Sequence, residues 1–265
     1  MPNRIESCFQ RLRTEKGKGF VPYICAGDPT LSRTVELSRA LEKGGADILE
    51  LGLPFSDPLA DGIVNQLAAQ RALAAGASVR GVLDCVREIR QISQIPIVLY
   101  TYMNPIFQFG WDDFHRAAES AGVDGLLILD LPPEEDVSVP STHLVHIRLI
   151  APTTPPERMQ RIAQAAQGFI YYVSREGVTG ARDGVASSLG KALTKLRQQT
   201  SLPIAVGFGI STPAQAREVA QEADAVVVGS AIVTKIGEHG AKPDLIEKVM
   251  ETVRPMIEAV KSIKA

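Results

Sequence analysis

Polar and apolar positions along this chain switch repeatedly between two patterns. Short apolar runs at residues 20–27, 46–52, 96–102, 125–131, 146–152, 169–175, 203–209 and 224–230 are rich in Val, Ile, Leu or Tyr and lie between turn formers. That is the pattern of strands buried on both faces of a parallel sheet. Helically spaced stretches separate them, at 30–43, 65–75, 80–91, 111–120, 155–167, 186–199, 213–221 and 242–261, and one more, 5–14, precedes the first strand. The connection 132–142 is short, acidic and proline-bearing, with room for one or two helical turns at most.

Unbroken strand–helix alternation admits a closed barrel or an open doubly wound sheet. An open dinucleotide-binding sheet normally carries a Gly-rich turn after its first strand, but here that turn reads Ala26-Gly27-Asp28-Pro29-Thr30. A P-loop pattern is also missing. Eight strands and 265 residues therefore favour an α/β fold of one (β/α)8 barrel domain spanning 1–265, with an extra N-terminal helix and a short helix after strand 8. Lys and Arg number 28 against 30 Asp and Glu, which leaves no broad basic field for nucleic acid. Cys8, Cys25 and Cys85 are odd in number and have no nearby His, against a disulfide framework or a zinc site and in keeping with a reducing cytosol. No apolar leader opens the chain, and no run approaches the roughly 18 residues of a membrane span, so a cytoplasmic location is expected.

Barrel enzymes draw their chemistry from the C-terminal ends of strands and the loops behind them. Glu50 interrupts an apolar run there. Alternation puts Leu49 and Leu51 on one face and Ile48, Glu50 and Gly52 on the other. One face meets the helices and the other the interior, so Glu50 is kept from bulk water either way. Burial raises a carboxyl pKa toward the range where the group both gives and takes protons; a structural carboxylate paired with a buried Arg or Lys fits the same pattern. The loop 53–62 behind it carries Asp57 and Asp61, read as turn formers or, for Asp61, as a second carboxylate at the mouth. Late in the chain three strands end in glycine, around Gly177 and Gly180, Gly207 and Gly209, and Gly229, each with a hydroxyl nearby. With a helix starting at Ser230, these ends suggest a phosphate site built from main-chain amides. Tyr100 and Tyr102 share a face and read as pocket or core, Asp130 as a mouth residue or turn former, and Trp111 as packing. None of His115, His143, His146 and His239 stands as an obvious base.

The segment Glu50-Leu-Gly-Leu-Pro-Phe-Ser-Asp-Pro-Leu-Ala-Asp-Gly62 resembles the signature of the tryptophan synthase alpha subunit family. The likeness continues, in order, through Phe20-Val-Pro-Tyr-Ile-Cys-Ala-Gly-Asp-Pro29, Tyr102-Met-Asn-Pro105, Ser174-Arg-Glu-Gly-Val-Thr-Gly180, Gly207-Phe-Gly-Ile-Ser211 and Gly229-Ser-Ala-Ile-Val233. It implies a (β/α)8 barrel that splits indole-3-glycerol phosphate into indole and glyceraldehyde 3-phosphate without metal or organic cofactor. It also implies Glu50 as catalytic acid or base and Asp61 as the carboxylate facing the indole N–H. Gly180, Gly209, Gly229 and Ser230 match phosphate-binding positions. Tyr23, Tyr100, Leu127, Tyr171 and Phe208 match positions around the indole ring, and Thr179 matches the residue that engages the aspartate. The expected partner is a pyridoxal-phosphate beta subunit in an alpha-beta-beta-alpha tetramer, with loops 54–61 and 175–189 facing it and Asp57 serving communication. The segment between Asp130 and His146 is shorter, and Tyr23 and Tyr100 are larger or more polar, than the family's common pattern. A ligand-holding activator of beta without lyase activity, or another phosphosugar barrel enzyme, are the competing readings.

Overall fold

The computed structural model describes residues 3–135, 142–173, 182–207 and 209–264. From the N-terminus run α1 (Arg4–Thr14), β1 (Gly19–Cys25), α2 (Leu31–Lys43), β2 (Leu49–Gly52), α3 (Ile63–Ala74), α4 (Val79–Arg90) and β3 (Ile97–Thr101). The middle comprises α5 (Met103–Phe109), α6 (Trp111–Ala121), β4 (Gly125–Ile128), β5 (Val145–Ile150), α7 (Pro156–Ala165) and β6 (Ile170–Val173). The chain closes with α8 (Arg182–Arg197), β7 (Ile204–Gly207), α9 (Pro213–Glu222), β8 (Ala225–Val228), α10 (Ser230–His239) and α11 (Leu245–Lys261). All eight strands are parallel and pair in chain order, and β8 returns to β1 to close the barrel.

Alternation sorts the side chains into two compartments. Phe20, Ile24, Leu49, Leu51, Ile97 and Leu99 face outward into the layer under the helices. Val21, Ile48, Val98, Leu127, Ile147, Phe169 and Ala205 point inward. Helix α1 joins that inner set through Ile5, Cys8, Phe9 and Leu12, so its apolar stripe caps the N-terminal end of the barrel. Phe9 and Phe169 meet there with ring centroids 5.6 Å apart.

One device recurs at that end. Asp47, Asp124 and Asp224 each precede a strand and receive the backbone N–H of a residue at the start of the neighbouring strand, Phe20, Ile97 and Ile204 respectively, at 2.8 Å each. Each also holds a cation: Arg11 on Asp47, Arg90 and Arg4 on Asp124, and Arg197 on Asp224. Burial pushes the Arg90 guanidinium down to about 10, partly offset by Asp124. Removing the carboxylate therefore strands a buried charge. Asp124→Ala is expected to cost about 2–3 kcal/mol, read as a lower urea midpoint at unchanged slope.

The sequence reading missed α5. Seven residues show barely two helical turns, and Gly110, at φ 98°, ends the helix before a face is established. Asp130 explains its start, accepting the Met103 N–H at 2.6 Å as a turn-forming acceptor. Several apolar runs outlast their strands. β4 stops at Ile128 although Leu131 is still buried, because burial continues into the loops after pairing ends.

Candidate active site

A cavity of about 360 Å³ opens at the C-terminal end of the barrel, and Glu50 and Asp61 both line it. Glu50 lies opposite Tyr23 of β1 and Val98 of β3, points inward, and is only 2 % exposed. Among the described residues no Arg or Lys pairs with it, so the structural ion-pair reading does not hold. Burial, and secondarily the charge of Asp61, push its carboxyl up to about 8.

Asp61 reaches the same cavity from the loop between β2 and α3. Tyr100 donates to its Oδ1 at 2.9 Å and Tyr102 to its Oδ2 at 2.7 Å, while Asn65 Nδ2 lies 3.3 Å from Oδ1. Tyr102 does not share the wall with Tyr100. It sits just past the end of β3, packs on Phe55 with centroids 5.5 Å apart, and its hydroxyl also accepts the Ala60 N–H. Tyr102 and Asn65 were not recognised from the sequence as partners of Asp61. The i,i+4 spacing of Asp61 and Asn65 was the available signal. Asn65 Oδ1 is buried and unpartnered, an acceptor left on the cavity wall for a ligand donor.

Tyr23, Tyr100 and Tyr171 form the aromatic wall, with Tyr23 and Tyr100 edge-on at 5.1 Å. Two strand-end glycines make room for it: a Cβ at Gly52 would strike the Tyr23 phenol, and one at Gly207 the Tyr171 phenol. Leu127 is fully buried on the same interior face but is not part of the cavity wall, which Leu129 supplies two residues further on.

At the far end lie Gly209, Gly229 and Ser230. Gly209 has φ 66°, which favours glycine. Two helices begin here, and they differ. At α9, Thr212 and Gln215 form a capping box, and Gln215 Oε1 also takes the Ser211 and Thr212 N–H groups. At α10, Gly229 supplies no side-chain cap, which leaves the first N–H groups and the positive end of the helix for an anion. Thr179, Gly180 and Phe208, expected at this end and around the ring, lie outside the described residues. Asp57 is exposed on the loop, with its carbonyl taking the Leu59 N–H.

The remaining candidates are placed elsewhere. His115 and His146 stack outside the barrel strands with their Nε2 atoms 3.1 Å apart, and burial pushes His146 down to about 4. Trp111 packs on His115 at 4.3 Å. The three cysteines are buried and free, and no cluster of metal-ligating side chains occurs among the described residues.

The chain is similar to known proteins over nearly its whole length. A family model described as tryptophan synthase alpha chain matches residues 9–261. The tryptophan synthase alpha chain of Opitutus terrae is 51 % identical over 255 residues, covering 95 % of this chain and 96 % of that one. The corresponding chain of Geotalea daltonii is 48 % identical over 243 residues, covering 90 % and 92 %. A crystal structure of tryptophan synthase subunit alpha from Legionella pneumophila superposes with a TM-score of 0.91 at 40 % identity, covering 99 % of this chain and all of that one. The chain belongs to the tryptophan synthase alpha chain family and is a carbon–carbon lyase that cleaves indole-3-glycerol phosphate to indole and glyceraldehyde 3-phosphate in tryptophan biosynthesis.

Proposed function

We propose that Glu50 and Asp61 divide the chemistry of this cleavage, and that the observation carrying it is a buried carboxyl, unpaired among the described residues, sharing an aromatic-walled cavity with a second carboxyl group. Indole leaves poorly as a carbanion until C3 is protonated. Glu50, holding its proton near neutral pH, stands where it can protonate C3 or take the glycerol hydroxyl proton as the C–C bond breaks. Protonation at C3 spreads positive charge to the ring nitrogen, where Asp61 stabilises it more in the transition state than in the ground state. Tyr23, Tyr100 and Tyr171 flank the ring, Leu127 lies buried on the same face outside the cavity wall, and the family resemblance assigns Phe208 and Thr179 to the ring's surroundings. The phosphate sits on the amides around Gly209, Gly229 and Ser230, with Gly180, and its binding energy orients the reacting end. No step calls for a cofactor in this chain. Incubating the purified chain with indole-3-glycerol phosphate tests the activity directly, with indole release as the expected result.

The same reading assigns the chain, as one barrel domain of residues 1–265, a pyridoxal-phosphate beta partner in an alpha-beta-beta-alpha tetramer that receives the indole, in the cytoplasm. Its support is apolar exposure on either side of Asp61 in the chain, where Leu59 is 84 % exposed and Ile63 67 %. Exposed apolar side chains beside a cavity commonly mark a docking face. The family resemblance assigns Asp57 and loop 175–189 to the partner as well. Leu59→Asp is expected to weaken binding of a beta subunit at least tenfold by titration calorimetry. Unchanged affinity places the docking face elsewhere.

A further inference from the structure

Among the described residues Asp61 is held in the cavity by neutral donors alone. The titratable groups around it are Tyr23 and Cys25 from β1, Glu50 from β2, Tyr100 and Tyr102 at the end of β3, and Tyr171 from β6. No Lys or Arg pairs with it among the described residues, and Glu50 in its charged form is a like charge. A carboxylate in such surroundings is held in place by neutral donors. Among the described residues three meet it: the phenols of Tyr100 and Tyr102, one on each oxygen, and the Asn65 amide. Asn65 is weakest, at 3.3 Å. Tyr102 has a second task, since its hydroxyl also takes the Ala60 N–H and so holds the loop. Among the described residues the Tyr100 hydroxyl bonds to the carboxylate alone.

We propose that Tyr100 is a positioning residue that holds Asp61 aimed into the cavity, with Tyr102 fixing the other oxygen. A carboxylate offers about four lone-pair sites. Among the described residues three are occupied, two on Oδ1 by Tyr100 and Asn65 and one on Oδ2 by Tyr102.

This inference rests on Asp61 acting as proposed above, and its test separates the two. Tyr100→Phe keeps the ring and its contact with Tyr23 and deletes only the donor. Losing that donor frees the carboxylate to turn away from the cavity, so kcat for indole release should fall about tenfold with KM and the melting temperature little changed. Tyr102→Phe should lower kcat in the same direction. A purely structural role predicts a loss that tracks KM or the melting temperature. That outcome, or an unchanged kcat in Tyr100→Phe, overturns the proposal. Asp61→Asn run alongside distinguishes the failures: if it is inactive while Tyr100→Phe matches the parent, only the role of Tyr100 falls. If Asp61→Asn retains full activity, the role of Asp61 falls with it.

Discussion

Glu50→Gln is expected to lower indole release from indole-3-glycerol phosphate by about 10³-fold, the scale on which a positioned acid–base group contributes. The amide keeps the size and polarity of the side chain but can neither give nor take the proton. Because burial pushes the carboxyl of Glu50 up to about 8, the parent enters its cycle with that proton in place at neutral pH. Activity that depends on the protonated form should therefore decline as pH rises through about 8. The measurement is a steady-state indole assay with and without a beta subunit. Turnover by Glu50→Gln within tenfold of the parent removes Glu50 from the proton transfers.

The same substitution should make the protein more stable. In the folded chain Glu50 holds its proton to about 8, whereas the unfolded carboxyl releases it near its ordinary value of 4.5. Between those values the native state binds more protons than the unfolded state, so this residue lowers stability progressively as pH rises. By pH 8 the loss amounts to about 4 kcal/mol at 1.36 kcal/mol per pH unit. Glutamine does not titrate. Urea midpoints of parent and variant should thus converge near pH 4 and separate at pH 8, with the variant higher. Equal midpoints at pH 8 would show that the carboxyl is not held in a low-dielectric setting. The two results together describe a residue retained at a cost in stability for what it does.

Much of the frame was legible in the sequence. The eight strands were visible because strands buried on both faces read as continuous apolar runs, and Glu50 stood out as a charge inside one of them. Alternation alone could not say which face met the cavity; that follows from barrel closure, which turns Ile48 and Glu50 inward together. The glycines ending the last three strands were read as anion-binding backbone. The structure gives Gly207 another cause, since like Gly52 it clears space for a phenol, while Gly209 and Gly229 line the cavity near the start of α10. The partners of Asp61 were hidden because Tyr100 and Tyr102 lie 39 and 41 residues away, and their convergence on one carboxylate depends on how the loop 53–62 folds back. α5 was hidden by its brevity. The uncapped start of α10 beside the boxed start of α9 was readable in principle, since Thr212 and Gln215 carry the boxed pattern and Gly229 does not.

Helix α1 has an effect on traffic as well as on packing. By covering the far end of the cylinder with Ile5, Phe9 and Leu12, it leaves the C-terminal mouth as the approach to the cavity among the described residues. A reactant and its two fragments then share one threshold, and the fragment nearer the rim has to clear it before the deeper one can follow.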